Sequence, residues 1–173
     1  MKKIIKYLLL AILLLVVVFF SLGIFVPTIN YETKVTVNNP VGQSFRVFNS
    51  PFLMSAWIPG LKNVRWISGR QNEIGSKWAM TIEEDGNQYI MTEELVAFKE
   101  NELFVVKIEN EDFTNDMEVR FTDKGVTSEI CSYNHVTGKN IFLKSLFVFS
   151  KSIFIKRDKK MYEQLKKIIE ETH

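Results

Sequence analysis

The chain has 173 residues with 22 Lys and Arg against 20 Asp and Glu, and three of its lysines, Lys2, Lys3 and Lys6, sit at the N-terminus. Setting those three aside leaves 19 basic against 20 acidic residues, so there is no global basic field and no expected nucleic-acid partner. The single cysteine, Cys131, excludes an intramolecular disulfide framework and a cysteine-rich zinc site.

The first element is the apolar run Tyr7 to Val26, broken only by Ser21 and Gly23. About 20 residues at roughly 1.5 Å rise span a ~30 Å hydrocarbon core. The lysines before it and the lone Glu32 soon after it place the N-terminus in the cytoplasm under the positive-inside rule. A cleaved signal peptide has a shorter apolar region and ends at a small-x-small site. Val26-Pro27-Thr28 makes a poor one, so an uncleaved signal anchor is expected. The expected organisation is a basic stub over 1–6, a transmembrane anchor over 7–26, a tether over 27–30 and one domain over 31–173. That makes a single-pass membrane protein with an extracytoplasmic domain, periplasmic if the cell is Gram-negative.

Tyr31 to Val37 alternates as a strand. Asn39 reads as an N-cap and Pro40 as the first residue of a short helix reaching Asn49. Phe52 to Ile58 reads as a second short helix. Period-two segments follow: Leu61 to Ser68, Ser76 to Ile82, Gln88 to Lys99, Glu102 to Glu109, a strand from Phe113, and Val126 to Val136. Asp85-Gly86-Asn87, Glu100-Asn101 and Asp123-Lys124-Gly125 are the turns between them, which predicts an antiparallel meander. From Asp158 the spacing of Met161, Leu165, Ile168 and Ile169 predicts a helix. The apolar, lysine-punctuated segment Ile141 to Ile155 is too short to span a bilayer, and its continuity with the later helix is left open. It is expected to fill the concave face of the sheet. The other reading puts its rings against lipid while Lys144, Lys151, Lys156 and Arg157 snorkel.

Several stretches then carry a family resemblance. Val35 to Val64 (VTVNNPVGQSFRVFNSPFLMSAWIPGLKNV) looks like an opening strand, an Asn-Pro helix start and a tryptophan-containing stretch before strand two. Glu73-Ile74-Gly75-Ser76-Lys77, Met91 to Val96 with Asn101-Glu102-Leu103, Gly125-Val126-Thr127 and the terminal Gln164 to Glu171 follow in matching order. Together they resemble the SRPBCC superfamily of START-like and polyketide cyclase/dehydrase-like proteins, with Gly-Val standing where the family commonly has Gly-Thr. The resemblance implies an α+β helix-grip (START/Bet v 1-like) fold: a curved antiparallel sheet around a long C-terminal helix, with a cavity between them. It also implies a small apolar molecule or lipid as partner. Membership of such a superfamily does not define chemistry.

The candidate residues follow from the chain itself. His135, the only histidine besides His173, lies near the end of the last strand and shares a face with Tyr133 and Cys131. It is a candidate acid or base, against a surface or hydrogen-bonded role. Glu93 and Glu94 are adjacent on a strand and point to opposite faces. The inward one would have a raised pKa unless it pairs with Arg65 or Arg70. The catalytic candidates are therefore His135, Tyr133 and Glu93. Trp66, Trp78, Met80, Tyr89, Tyr133 and Phe147 are the expected ligand-binding residues, with Trp57 and Phe149 as further cavity or core rings. Cys131 reads as a small core residue. The spacing of His and Cys gives no metal signature, and no phosphate loop or Rossmann fingerprint is present, so no cofactor is expected. Three readings of function follow: a membrane-tethered binder of a small hydrophobic ligand or lipid, a cyclase-, dehydratase- or hydrolase-type enzyme using a cavity acid or base, and a protein-interaction domain without ligand.

Overall fold

The computed structural model describes residues 2–172; Met1 and His173 lie outside the described residues. The chain opens with helix α1, Lys2–Phe25, which is long and apolar enough by length and composition to cross a membrane. Pro27 cannot continue a helix, and strand β1 starts at once, as Thr28–Val37. Three of the four residues expected as a tether therefore belong to the sheet. Pairing of Thr28 with Thr137, whose hydroxyls lie 2.7 Å apart, holds them there.

Helix α2, Val41–Phe48, begins one residue later than its sequence suggests. Pro40 has ψ 151°, which is extended, and its carbonyl accepts the first bonds from Gln43 and Ser44, so Pro40 takes the cap position expected for Asn39. Helix α3 is a single turn, Met54–Trp57, between Pro51 and Pro59. Six strands follow: β2 Leu61–Ser68, β3 Lys77–Glu84, β4 Asn87–Lys99, β5 Leu103–Glu109, β6 Phe113–Asp123 and β7 Ser128–Gly138. Asp85 (φ 51°) and Gly86 (φ 79°) make the two-residue turn between β3 and β4, both left-handed as the twist of a tight hairpin requires. Helix α4 is continuous over Ile141–Glu171, 31 residues, and Asn140 caps it by accepting from the Leu143 amide at 2.9 Å.

All seven strands pair antiparallel in the order β1-β7-β6-β5-β4-β3-β2, so the first strand closes against the last and β2 forms the far edge. Register breaks at Leu95/Ala97, Leu61/Asn63 and Trp66/Ser68 bend the sheet. The bulge beside Val96 also switches parity. Met91, Glu93 and Leu95 face inward before it, and Phe98 faces inward after it, opposite the buried Phe104.

The concave face is apolar where α2 and the second half of α4 lie on it. Phe45 and Phe48 pack edge-on against Phe121, and Tyr162, Leu165 and Ile169 of α4 are fully buried. Each such side chain contributes about 1.5–3 kcal/mol relative to exposure. This is the expected sheet wrapped on its final helix.

Candidate functional site

A cavity of about 190 Å³ remains between the sheet and α4. Its apolar wall has an unusual composition: Met54, Met80, Met91, Met117 and Met161 all line it, which is every methionine after Met1. Unbranched, polarizable thioethers fill irregular space and repack around varied shapes. Phe48, Trp57, Phe104 and Phe154 supply rings, with Trp57 stacked on Phe48 at 5.4 Å between centroids. Exposed Arg157 and Pro59 mark where the cavity reaches the surface, and Arg157 is tied to Glu84 at the β3–β4 turn by a 3.2 Å ion pair.

The floor is polar. The Asn115 side chain donates to Asn134 Oδ1 at 2.8 Å, and Asn134 Nδ2 donates to Ser132 Oγ at 3.0 Å and to Asp158 Oδ2 at 3.2 Å. Asn115 Oδ1 in turn accepts from the His135 backbone amide at 3.1 Å. Tyr31 and Tyr162 stand beside Asp158. Burial pushes Asp158 up to about 6, against the opposing pull of Tyr31 and Arg157. The same burial, reinforced by the Asp158 charge, raises both tyrosine hydroxyls well above their ordinary value. The Tyr162 hydroxyl is buried without an in-range hydrogen-bond partner, and so are the indole N–H groups of Trp57 and Trp78.

Glu93 lies further along the floor, across Ile108 from Asn115: both residues pair with Ile108 on β5. It is 6 % exposed, and no Lys or Arg among the described residues pairs with it. Desolvation pushes it up to about 7, against the opposing pull of Trp78, its neighbour across the β3–β4 pair. Glu94 points the other way and pairs with Lys77 at 2.9 Å on the outer face. Arg65 and Arg70, the partners weighed for the inward carboxyl, are both exposed.

Of the expected residues, Glu93, Met80 and Trp57 line this cavity and the others do not. His135 and Tyr133 lie on the opposite face of β7 from Asn134 and Val136. Both border a shallow outer groove, where His135 Nδ1 is 2.7 Å from Asn30 Oδ1. The acid–base trio of His135, Tyr133 and Glu93 is thus split across the sheet. Trp78 is buried beside the cavity, with Trp66 edge-on over it at 5.4 Å on the β2 edge. Tyr89 has inward parity but sits at the open hairpin end of β4. Phe147 packs between Phe113 and Phe154 behind the lining, and Phe149 is turned away from the sheet altogether. Tyr31, Asn115, Asn134, Asp158 and Tyr162 form the polar floor and were not anticipated; Asn115, a polar residue in step with Phe113, Met117, Val119 and Phe121 on β6, was its available signal.

No family model matches the chain, and no curated protein matches it. Solved structures do. Ginseng major latex-like protein 151 from Panax ginseng superposes with a TM-score of 0.66 at 15 % identity, over 81 % of this chain and 96 % of that one. Norcoclaurine synthase from Thalictrum flavum, in complex with dopamine and hydroxybenzaldehyde, gives 0.59 at 16 % identity, over 84 % and 88 %. The di-domain ARO/CYC protein StfQ of the steffimycin biosynthetic pathway gives 0.68 at 11 % identity, over 83 % of this chain and 51 % of that one. The fold is therefore of the Bet v 1-like helix-grip type.

Proposed function

We propose that this chain is a membrane-anchored binding module for a small amphiphilic molecule. The carrying observation is the cavity: about 190 Å³, five methionines on its wall and hydrogen-bonding groups along its floor. An apolar cavity of about 150 Å³ already accommodates benzene. The space suits a single ring or a short stretch of acyl chain, with its polar group on Asn115 or Glu93. Protein cavities with few convergent polar groups in an apolar lining are the usual small-molecule sites. Among the superposable proteins, one holds dopamine and hydroxybenzaldehyde, each built on a single aromatic ring.

The anchor reading draws on α1. Its length and apolarity suit a bilayer span, and its N-terminal lysines favour a cytoplasmic N-terminus with the domain on the far side. The close packing of α1 against α4 supports a retained helix rather than a cleaved leader: Gly23 lies against Ser145 and the Ile141 carbonyl.

Native mass spectrometry of the full chain, released from mild detergent, tests the binding reading. The expected spectrum contains a discrete adduct of small-molecule mass that survives gentle activation. A spectrum of bare protein alone, across preparations from its own cell, overturns it.

A second reading is proton transfer by Glu93, favoured by its unpaired carboxyl inside the cavity. It requires two co-purified molecules, substrate and product, told apart by mass or by fragmentation, with the product missing from Glu93→Gln preparations. Identical adducts in both proteins remove it.

A further inference from the structure

The surface of α4 carries a pattern that the cavity does not use. Phe142, Leu146, Phe149, Ile153, Lys156 and Lys160 succeed one another at alternating spacings of four and three residues, which is one face of a helix. The first four are exposed apolar side chains, with Phe149 62 % and Ile153 65 % accessible, and the last two are exposed lysines. The opposite face of the helix, bearing Phe147, Phe154 and Leu165, is the one that meets the sheet and its core. The domain therefore leaves about 17 Å of helix with a greasy outward face.

That face is not isolated. Its edge is continuous with α1: the Phe19 ring stacks on Phe149 at 6.1 Å and meets Phe142 at 5.7 Å. Gly23 brings the two backbones together, since a Cβ there would lie 2.8 Å from the Ile141 carbonyl oxygen and 2.9 Å from the Ser145 nitrogen. The flanking charge is one-sided. Over residues 141–160 there are six basic side chains and one acid, Asp158, which is turned to the cavity.

We infer that the first half of α4 is an interfacial membrane helix, whose rings enter the boundary between acyl chains and headgroups while Lys156 and Lys160 reach anionic headgroups. Two observations select a lipid surface over a protein partner: the stripe continues directly into the apolar surface of α1, and it ends in lysines on the same face. Helices of this kind bury their apolar face about 5–10 Å into that boundary. Phe154 and Arg157, the next residues along, already line the cavity. The cavity rim then stands at the bilayer surface, and an amphiphile exchanges between membrane and protein without crossing water. This inference rests on the anchor reading of α1, and its test separates the two.

The full chain, in a Cys131→Ser background, is reconstituted in vesicles of mixed zwitterionic and anionic phospholipid. An environment-sensitive fluorophore is attached singly at Phe149→Cys, Ile153→Cys, Val17→Cys in α1, or Val126→Cys in the exposed β6–β7 turn. Quenching by lipids carrying a nitroxide on the acyl chain is then measured. Labels at Phe149 and Ile153 are expected to be quenched within about twofold of the Val17 label, and about fivefold or more above the Val126 label, as burial at the interface requires. Because both positions are exposed, a failure of one variant to fold leaves the other to report. Strong quenching at Val17 with Phe149 and Ile153 matching Val126 overturns the inference and leaves the anchor standing. Absence of quenching at Val17 overturns both. Labels at 149 and 153 that are shielded from an aqueous quencher yet untouched by the lipid quencher mean that protein covers the stripe, and also overturn it. None of these readouts depends on an occupied cavity, so the native mass experiment fails or succeeds separately.

Discussion

Replacing Glu93 by glutamine perturbs the most telling group of the cavity. In the fold its carboxyl is pushed from 4.5 to about 7 by burial. Below the unfolded value, both folded and unfolded chains hold the proton and the site exerts no effect. Between the two values the unfolded chain releases its proton and the folded chain keeps it, so stability falls as pH rises, and it levels off above the folded value. At about 1.4 kcal/mol per unit, the gap amounts to about 3 kcal/mol lost by pH 8. Glu93→Gln has nearly the same shape and no charge to form. Wild type and variant are expected to be equally stable near pH 4, and the variant more stable by about 3 kcal/mol near pH 8. Asp158, also raised, adds a slope of the same sign to both proteins and drops out of the difference. The assay is denaturant unfolding of the full chain in mild detergent, followed by tryptophan emission at a series of pH values. Parallel curves, or a variant less stable at high pH, would refute the reasoning, because either means that the carboxylate is solvated or paired in the folded state.

Other perturbations separate fold from site. Leu165→Ala removes a fully buried side chain of α4 and is expected to cost about 2–5 kcal/mol by urea unfolding, with the slope unchanged. Met117→Trp fills the cavity from its wall; the adduct seen by native mass spectrometry is expected to disappear while the circular dichroism spectrum is kept, at about 1–3 kcal/mol of strain. Gly23→Val puts a branched side chain against the backbone of α4. Hydrogen exchange over residues 141–150 is expected to quicken, with the strands unaffected.

The order of elements was legible because tight turns separate alternating segments, and Asp85-Gly86 is a turn whose two residues tolerate left-handed geometry. The opposed faces of Glu93 and Glu94 also follow from strand periodicity alone. The parity of β7 did not. Ser128, Ile130, Ser132, Asn134 and Val136 face the interior, while Glu129, Cys131, Tyr133 and His135 face outward. Both sets mix polar and apolar residues, so the pattern does not choose between them. The pairing of β7 with β1 on one side and β6 on the other does. The same limit hid the polar floor. Tyr31, Asn115 and Asp158 are far apart in the chain, and only the rotation of α4 over the sheet brings Asp158 to Asn134. The Phe-rich start of α4 carried two expectations, and the helix divides its rings between two faces: Phe147 and Phe154 turn to the sheet, Phe142 and Phe149 turn away from it.

The central claim is that the hollow under α4 receives an amphiphile. The most direct measurement is a high-resolution map of the full chain purified from its own membrane in mild detergent. The account expects continuous non-protein density against Met80 and Met117, with one end within hydrogen-bond distance of Asn115 or Glu93. A map in which side chains close that space, or in which ordered water alone fills it, would contradict the account.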